Sequence, residues 1–344
     1  MKSIVAVIKT KPGNVQRDVG EVMELARYRR FLRSDKKTIV KLNFSWDLLY
    51  PGSSTSPWVL DGVLNKIKNF NELYVCENST VVNNAFKNLR AYKLDKVLEK
   101  YNLPFTHLNN VDWLYVGDVK TKAIKNEDRF IPSILKDSQL VTIPTLKTHG
   151  HTKMTGALKN QFGCLKKLRH HYHVVIDQTL ADVQKIIKKY CKSTFCVMDG
   201  TIGMEGKGPR AGIPRICNLL MASNDFVALD AIASTIMGIN PEGVGSIQIA
   251  AKEGLGIADP EDIKIVGDYD QSNLPKFNFK WGKTPVIYFD RLLRSSIFSP
   301  LIFKTSLFYL CMLGSIGYHT LWYNLIGKKY RDKILKTGYG KQYR

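Results

Sequence analysis

The chain has no CxxC pair and no internal repeat, and its glycine-rich stretch at residues 198–212 is neither a GxGxxG at a first strand–helix turn nor a Walker loop with its Gly-Lys-Ser/Thr ending. Its six cysteines, at 76, 164, 191, 196, 217 and 311, are dispersed. That argues against an iron–sulfur centre, because a cluster needs four suitably placed thiolates. The closest pair, Cys191 and Cys196, flanks the start of an expected strand and reads as core packing. Without the two nucleotide fingerprints, both the Walker and the dinucleotide readings are declined. Acidic residues are scarce as well: 30 Asp and Glu face 51 Lys and Arg, a net charge of +21. Such an excess favours an acidic partner, whether a phosphorylated metabolite, an anionic lipid surface or nucleic acid. No base-reading motif or stacking platform accompanies the charge, so nucleic acid is the least favoured of the three. The first apolar run, residues 3–8, is only strand-length and too short for a secretory signal. Reduced thiols in a cytoplasmic protein are the expectation. Oligomeric state is not legible.

What is present is an ordinary globular composition, 44% hydrophobic and 24% charged over 344 residues, enough for one large core or two smaller ones. Short β-branched runs at residues 3–8, 38–42, 72–76, 113–116, 140–143, 194–198, 216–221 and 263–266 read as strands. Helical spacing fills residues 14–32, the stretch opening at Ser56-Pro57, and residues 85–98, 178–189 and 225–237. This alternation predicts an α/β fold: a largely parallel, doubly wound sheet with helices on both faces, plus a C-terminal apolar helical tail. Residues 1–284 form the expected α/β domain, with residues 100–130 as a small insertion. Residues 285–344 form the tail.

In such sheets ligands bind at the carboxyl ends of the strands. Lys41 with Asn43, Lys147 with His149, Asp199, and Asn224 with Asp225 each follow a different expected strand, so one edge would collect them. The richest stretch is residues 140–164, where a strand closed by Pro144 leads into a turn bearing Lys147, His149, His151 and Lys153. A helix over residues 155–162 then places Lys159 about one turn beyond Thr155. Thr55 and Ser56 stand at a helix N-terminus with Pro57 in the first helical position, which suits a cap or an anion. Residues 198–212 hold glycines at 200, 203, 206, 208 and 212, and their backbone could form an anion nest. Asp199 and Glu205 in that loop could bind a divalent metal or act as base and acid. His170, His171 and His173 form a further cluster of groups that exchange protons near neutrality.

The residues PTLKTHGHTKMTGALKNQFG, the His-rich segment 169–173, MDGTIGMEGKGPRAG, ASNDFVALDAIASTIMGINP, VKLNFSW and SSTSP together resemble the domain-of-unknown-function 362 family over about residues 36–268. Relatives there often carry a ferredoxin-like CxxCxxC segment, which this chain lacks. The resemblance implies a scaffold and no reaction.

The reading drawn from these residues is an enzyme acting on an anionic small molecule, phosphorylated, carboxylated or lipid-linked, at the carboxyl edge of the sheet. His149, Asp199 and Glu205 are the catalytic candidates. Lys41, Asn43, Thr55, Lys147, Lys159, Asn160, Gly203 and Gly206 are the candidates for substrate binding. A divalent metal of unspecified identity is the candidate cofactor. The second reading is a non-catalytic binding or redox-accessory protein.

Residues 305–327 contain no Asp, Glu, Lys or Arg and are long enough to span a bilayer. Tyr318, Trp322 and Tyr323 resemble an interfacial belt, while Pro300 marks a break. Leu307, Phe308, Tyr309, Leu310, Met312 and Leu313 surround the helix on all sides, which demands a protein groove or lipid. Arg291, Arg294, Lys304, Lys328, Lys329 and Arg331 flank it. Peripheral or re-entrant attachment to the inner face of a membrane is expected.

Overall fold

The computed structural model describes residues 2–166, 169–303, 305 and 307–343; Lys304 lies outside them. Twelve strands are described: β1 (Ile4–Lys9), β2 (Thr38–Lys41), β3 (Leu73–Glu77), β4 (Phe105–His107), β5 (Trp113–Tyr115), β6 (Phe130–Pro132), β7 (Gln139–Thr142), β8 (Thr145–His149), β9 (Lys153–Thr155), β10 (Ser193–Lys207), β11 (Ala211–Ser223) and β12 (Lys264–Gly267). The main sheet runs β12-β1-β11-β10-β7-β2-β3-β4, with β8 paired to β10 and β9 to β8. Neighbours are parallel except where β11 meets β1 and β10, and where β9 meets β8. β5 and β6 form a separate antiparallel pair.

The helices are α1 (Val15–Leu25), α2 (Pro57–Ile67), α3 (Ala85–Ala91), α4 (Leu94–Lys100), α5 (Ala157–Asn160), α6 (Ile176–Tyr190), α7 (Phe226–Met237), α8 (Gly245–Lys252), α9 (Pro285–Ser295), α10 (Ser299–Phe303), α11 (Leu307–Trp322) and α12 (Lys328–Leu335). They cover both faces of the sheet. Val19, Val22 and Met23 of α1 pack with Val63 and Leu64 of α2 on one side, and α7 inserts Phe226, Leu229 and Ile232 on the other. Burying each such side chain contributes about 1.5–3 kcal/mol. Asp225 caps α7 by accepting from the amides of Val227 and Ala228, as its sequence position suggests.

Three local expectations change. The glycine-rich stretch is no loop: Asp199 and Gly200 do not end a strand but continue through an irregularity into a long β10–β11 hairpin. The basic turn after Pro144 is likewise a hairpin, β8–β9, with Lys147 inside a strand. Because β11 is antiparallel, Asn224 and Asp225 sit at its end beside Thr194 and Ser3, at the starts of β10 and β1 and away from the ends of β2, β3 and β7. They cannot join a site at the carboxyl edge.

The tail begins from an anchor. Ile287 of α9 is buried against Gly150, where an added Cβ would lie 2.1 Å from its Cδ1. The backbone breaks between α9 and α10, just ahead of Pro300, and again before α11. No described helix is long and apolar enough to cross a membrane. After α11 the chain returns to the domain. Trp322 and Tyr323 close on Trp46 and Tyr50 instead of forming an interfacial belt, since a protein aromatic cluster already accepts their rings. Farther on, Tyr339 and Tyr343 pack on Trp58 of α2, with ring centroids 5.5 and 4.8 Å away.

Candidate functional site

A cavity of about 280 Å³ opens where the carboxyl ends of β2, β3 and β8 meet α5, the 3-10 turn Arg169–Val175 and helices α9 to α11. Five of the sequence candidates line it: Lys41, Asn43, His149, Lys159 and Asn160. Their positions follow from strand ends and one capped turn. α5 is held by Asp230 of α7, whose carboxylate accepts from the amides of Ala157 and Leu158 at 2.6 and 3.0 Å. Burial pushes this carboxyl up to about 7. Gly156 is required there, because a Cβ would lie 2.1 Å from Asp230 Oδ1.

The floor is a closed amide network. Asn43 Nδ2 donates to Asn160 Oδ1 at 2.9 Å, and Asn160 Nδ2 donates to Leu42 O at 3.1 Å and Thr142 Oγ1 at 2.6 Å. Beside it Lys41 Nζ donates to both oxygens of Glu77 at 2.9 and 2.8 Å. Gly163 closes over this pair.

The walls add groups that sequence reasoning left off the candidate roster. Ring centroids run from His149 to His151 at 5.8 Å, His151 to His173 at 5.0 Å and His173 to His170 at 5.1 Å. Burial, reinforced by nearby cations, pushes His149, His170 and His173 well below the ordinary imidazole range and His151 down to about 4. All four are therefore neutral at physiological pH. The backbone amide of His151 donates to His149 Nδ1 at 3.1 Å, which places the His149 proton on Nε2. His173 Nδ1 lies 3.0 Å from His170 O; only its protonated form bonds to a carbonyl, leaving Nε2 as a free base.

Arg169 and Arg210 form no ion pair among the described residues. Arg169, 4% exposed, donates only to the carbonyls of Leu165, Lys166 and Ser79, and its Nε has no partner. Arg210 donates to Ser45 O at 2.9 Å. Burial draws both guanidiniums down to about 10, which leaves them charged. Lys159 Nζ lies 4.6 Å from the Phe162 ring centre, and burial followed by the charge of Arg169 lowers it to about 7. Asn78 Oδ1, Thr155 Oγ1 and His170 Nδ1 also line the cavity without partners. Buried polar groups are rarely left unpaired, and four of the nine such atoms among the described residues belong to residues that line the cavity.

The remaining candidates lie outside the cavity. Lys147 is fully buried and donates to Asn43 Oδ1, Ser45 Oγ and Ser53 O. With no carboxylate bonded to it, burial pushes its ammonium well below the usual range. It is a clamp beneath the floor. Thr55 is spent on Asn43 N and Ile143 O, both at 2.8 Å. Asp199 accepts four bonds, from the amide and hydroxyl of Ser56 and of Thr201, so it fixes the start of α2 in place of a Ser56 cap. Glu205 accepts from Lys280 N at 3.1 Å and faces Arg215 at 3.6 Å on the hairpin's far part. Gly203 accommodates Phe279 and Leu146 O, and Gly206 meets a φ of +88°; neither presents its amide to the cavity. Among the described residues no group of three or more His, Cys, Asp or Glu is placed to hold a metal ion.

His151, His170 and His173 were visible as a histidine-rich composition. Arg169 and Arg210 carried no local signal, because their isolation from carboxylates is a tertiary fact.

Comparison with known proteins adds a framework. The sequence profile of Domain of unknown function (DUF362) matches residues 38–235. A thylakoid-associated protein of Synechocystis sp. is 31% identical over 122 residues, which is 34% of this chain. The chain covers 37% of that relative's length. No solved structure matches. The profile match takes in β2, β3, β8, α5 and the histidine-rich turn, and so every wall of the cavity except the tail; the chain belongs to the domain-of-unknown-function family DUF362.

Proposed function

We propose that the cavity binds and acts on an anionic small molecule, phosphorylated or carboxylated, with the imidazoles moving its protons. The observation that carries this reading is the pair of buried, unpaired guanidiniums of Arg169 and Arg210 beside unsatisfied polar atoms in one cleft. An anion would satisfy Arg169 Nε and supply the missing counter-charge. His173 Nε2 carries no proton and can accept a hydrogen bond from the ligand. Titration calorimetry with glycerol 3-phosphate tests the anion. Arg169→Gln should weaken binding about tenfold or more, the worth of a charge-assisted hydrogen bond, and equal affinity in the variant removes the reading.

A non-catalytic binding protein is the second reading. It is favoured by the placement of carboxylates: Glu77 is tied to Lys41 and Asp290 to Arg294, and Asp199 and Glu205 lie outside the cleft, so no carboxylate of the cleft among the described residues is free to act as a base.

The protein attaches peripherally to an anionic membrane surface on its cytoplasmic side. α9 and α11 expose Leu292, Tyr309, Leu310 and Leu313, and Phe298 between α9 and α10 is exposed as well; an exposed apolar cluster of this kind marks an interaction surface. Exposed Arg291, Lys328 and Lys329 border it, each attracted to anionic headgroups by about 1 kcal/mol. The thylakoid association of the partial relative supports the same reading.

A further inference from the structure

The cavity has two chemically different halves. Its floor, built by the domain, presents Lys159, Arg169, Arg210 and the imidazoles. Its roof, built by the tail, is mostly apolar, with Ile287, Phe289, Leu293, Phe303, Phe308 and Met312 around one Asp290–Arg294 ion pair. An inorganic or fully polar anion would use the first half and leave the second dry and empty. The roof therefore asks for a ligand with a hydrocarbon portion.

The same helices also form the exposed apolar surface. On α11, Phe308, Met312, Ser315 and His319 face the cavity, while Tyr309, Leu310 and Leu313, interleaved with them at helical spacing, are 60–63% exposed. Phe289 lines the cavity and is itself 56% exposed. Cavity and outer surface thus meet at the edge of α9. α11 continues through the π-helical turn Tyr323–Gly327 into α12, but from Trp322 onward it packs against the domain; its free apolar part, 16 residues and about 24 Å long, falls short of the hydrocarbon thickness, so it lies in the interface rather than across it. With the outer face in lipid, the opening beside Phe289 would face the acyl region.

We infer that the ligand is a membrane lipid with a phosphorylated headgroup, drawn from the bilayer so that the phosphate meets Arg169 and Arg210 and the first part of its chain lies against α9 and α11. This deepens the anion-binding reading and rests on it. The roof also argues against a soluble phosphometabolite, which would leave Phe303, Phe308 and Met312 without a partner.

Cys311 supplies the readout. It lines the roof and is partly exposed, whereas the other five cysteines are buried. The full-length protein is treated with a maleimide, and the rate of Cys311 modification is followed by mass spectrometry in four conditions: buffer, glycerol 3-phosphate, phosphatidylcholine vesicles, and phosphatidylcholine vesicles containing phosphatidic acid. Phosphatidic acid should slow labelling at least about tenfold beyond phosphatidylcholine alone, the effect of burying about two methylenes. Arg169→Gln and Arg210→Gln, each checked for an unchanged unfolding temperature, should erase that difference. Equal protection by the two vesicle types means the bilayer merely covers α11 and overturns the proposal. Calorimetric binding of glycerol 3-phosphate as tight as that of phosphatidic acid, with no protection of Cys311 by either, overturns the lipid and leaves the anion site standing. Loss of glycerol 3-phosphate binding as well removes both readings.

Discussion

Lys41 on β2 and Glu77 on β3 face each other across neighbouring parallel strands, their ammonium and carboxylate in contact at 2.8 Å and their side chains 1% and 5% exposed. The pair stands at the mouth of the carboxyl edge and sets the spacing of the two strand ends there. Removing one partner strands a buried charge. Lys41→Met should cost about 3–5 kcal/mol in urea unfolding, and the double variant Lys41→Met/Glu77→Gln should recover much of it. A loss in the double variant as large as in the single one would contradict this account.

Lys159 gives the site a pH dependence whose sign can be worked out. Its ammonium is held at about 7 by burial, so it is charged below that pH and neutral above. Anion affinity should therefore be highest below pH 7 and fall as pH rises through it. Stability runs the other way: the unfolded chain keeps this proton to its ordinary lysine value, so stability from this group grows between pH 7 and about 10.4 and is absent below. Lys159→Arg, charged throughout, should flatten the binding profile. A wild-type profile flat from pH 6 to 8.5 would exclude Lys159 from anion contact.

Lys147→Ala should act on the fold rather than on ligand contacts. The substitution leaves Ser53 O buried without its donor, costing about 1–3 kcal/mol for that unsatisfied group, while Asn43 Oδ1 keeps the hydroxyl of Thr145. Thermal unfolding measures it; an unchanged transition with weakened anion binding would return Lys147 to the site.

The membrane surface can be tested without touching the cavity. Leu310→Glu and Leu313→Glu alter residues that are each 63% exposed, so folding should be unaffected. Flotation with anionic vesicles should drop sharply in the double variant. Persistent flotation would assign binding to the basic residues alone.

Tyr339→Ala should destabilise by about 3–5 kcal/mol, the range for a large buried aromatic. The ring is 1% exposed and stacks on Trp58, and its hydroxyl donates to Asn218 Oδ1 at 2.9 Å. Circular dichroism melting will show whether the last residues are part of the core.

Much of this architecture is legible in the chain because local and global demands agree there. Residues 38–42 and 140–143 are β-branched and bounded by breakers, and they pair side by side as β2 and β7. Ser56-Pro57 and Asp225 mark helix starts that the structure keeps. The β10–β11 hairpin was hidden because its glycines erase the alternation that signals a strand; they are needed where Gly203 passes Leu146 O and Gly208 passes Thr148 O. Lys147 misled for a related reason. A lysine after a strand usually means solvent, and only the folded chain shows three oxygens surrounding it. Arg169 and Arg210 depend on tertiary distance, since Glu77 and Asp47 act on them without contact, and no spacing rule reports whether a carboxylate comes within reach.

The attachment of the tail at both ends has a kinetic meaning. Ile287 fixes it on one side of the cavity, while Tyr323, Tyr339 and Tyr343 fix it on the other. A roof tethered twice cannot diffuse away when it lifts toward a bilayer. Its return is a unimolecular step at high effective concentration, so opening and reclosure would proceed at rates independent of protein concentration, and a ligand's residence time would be set by how often this roof lifts.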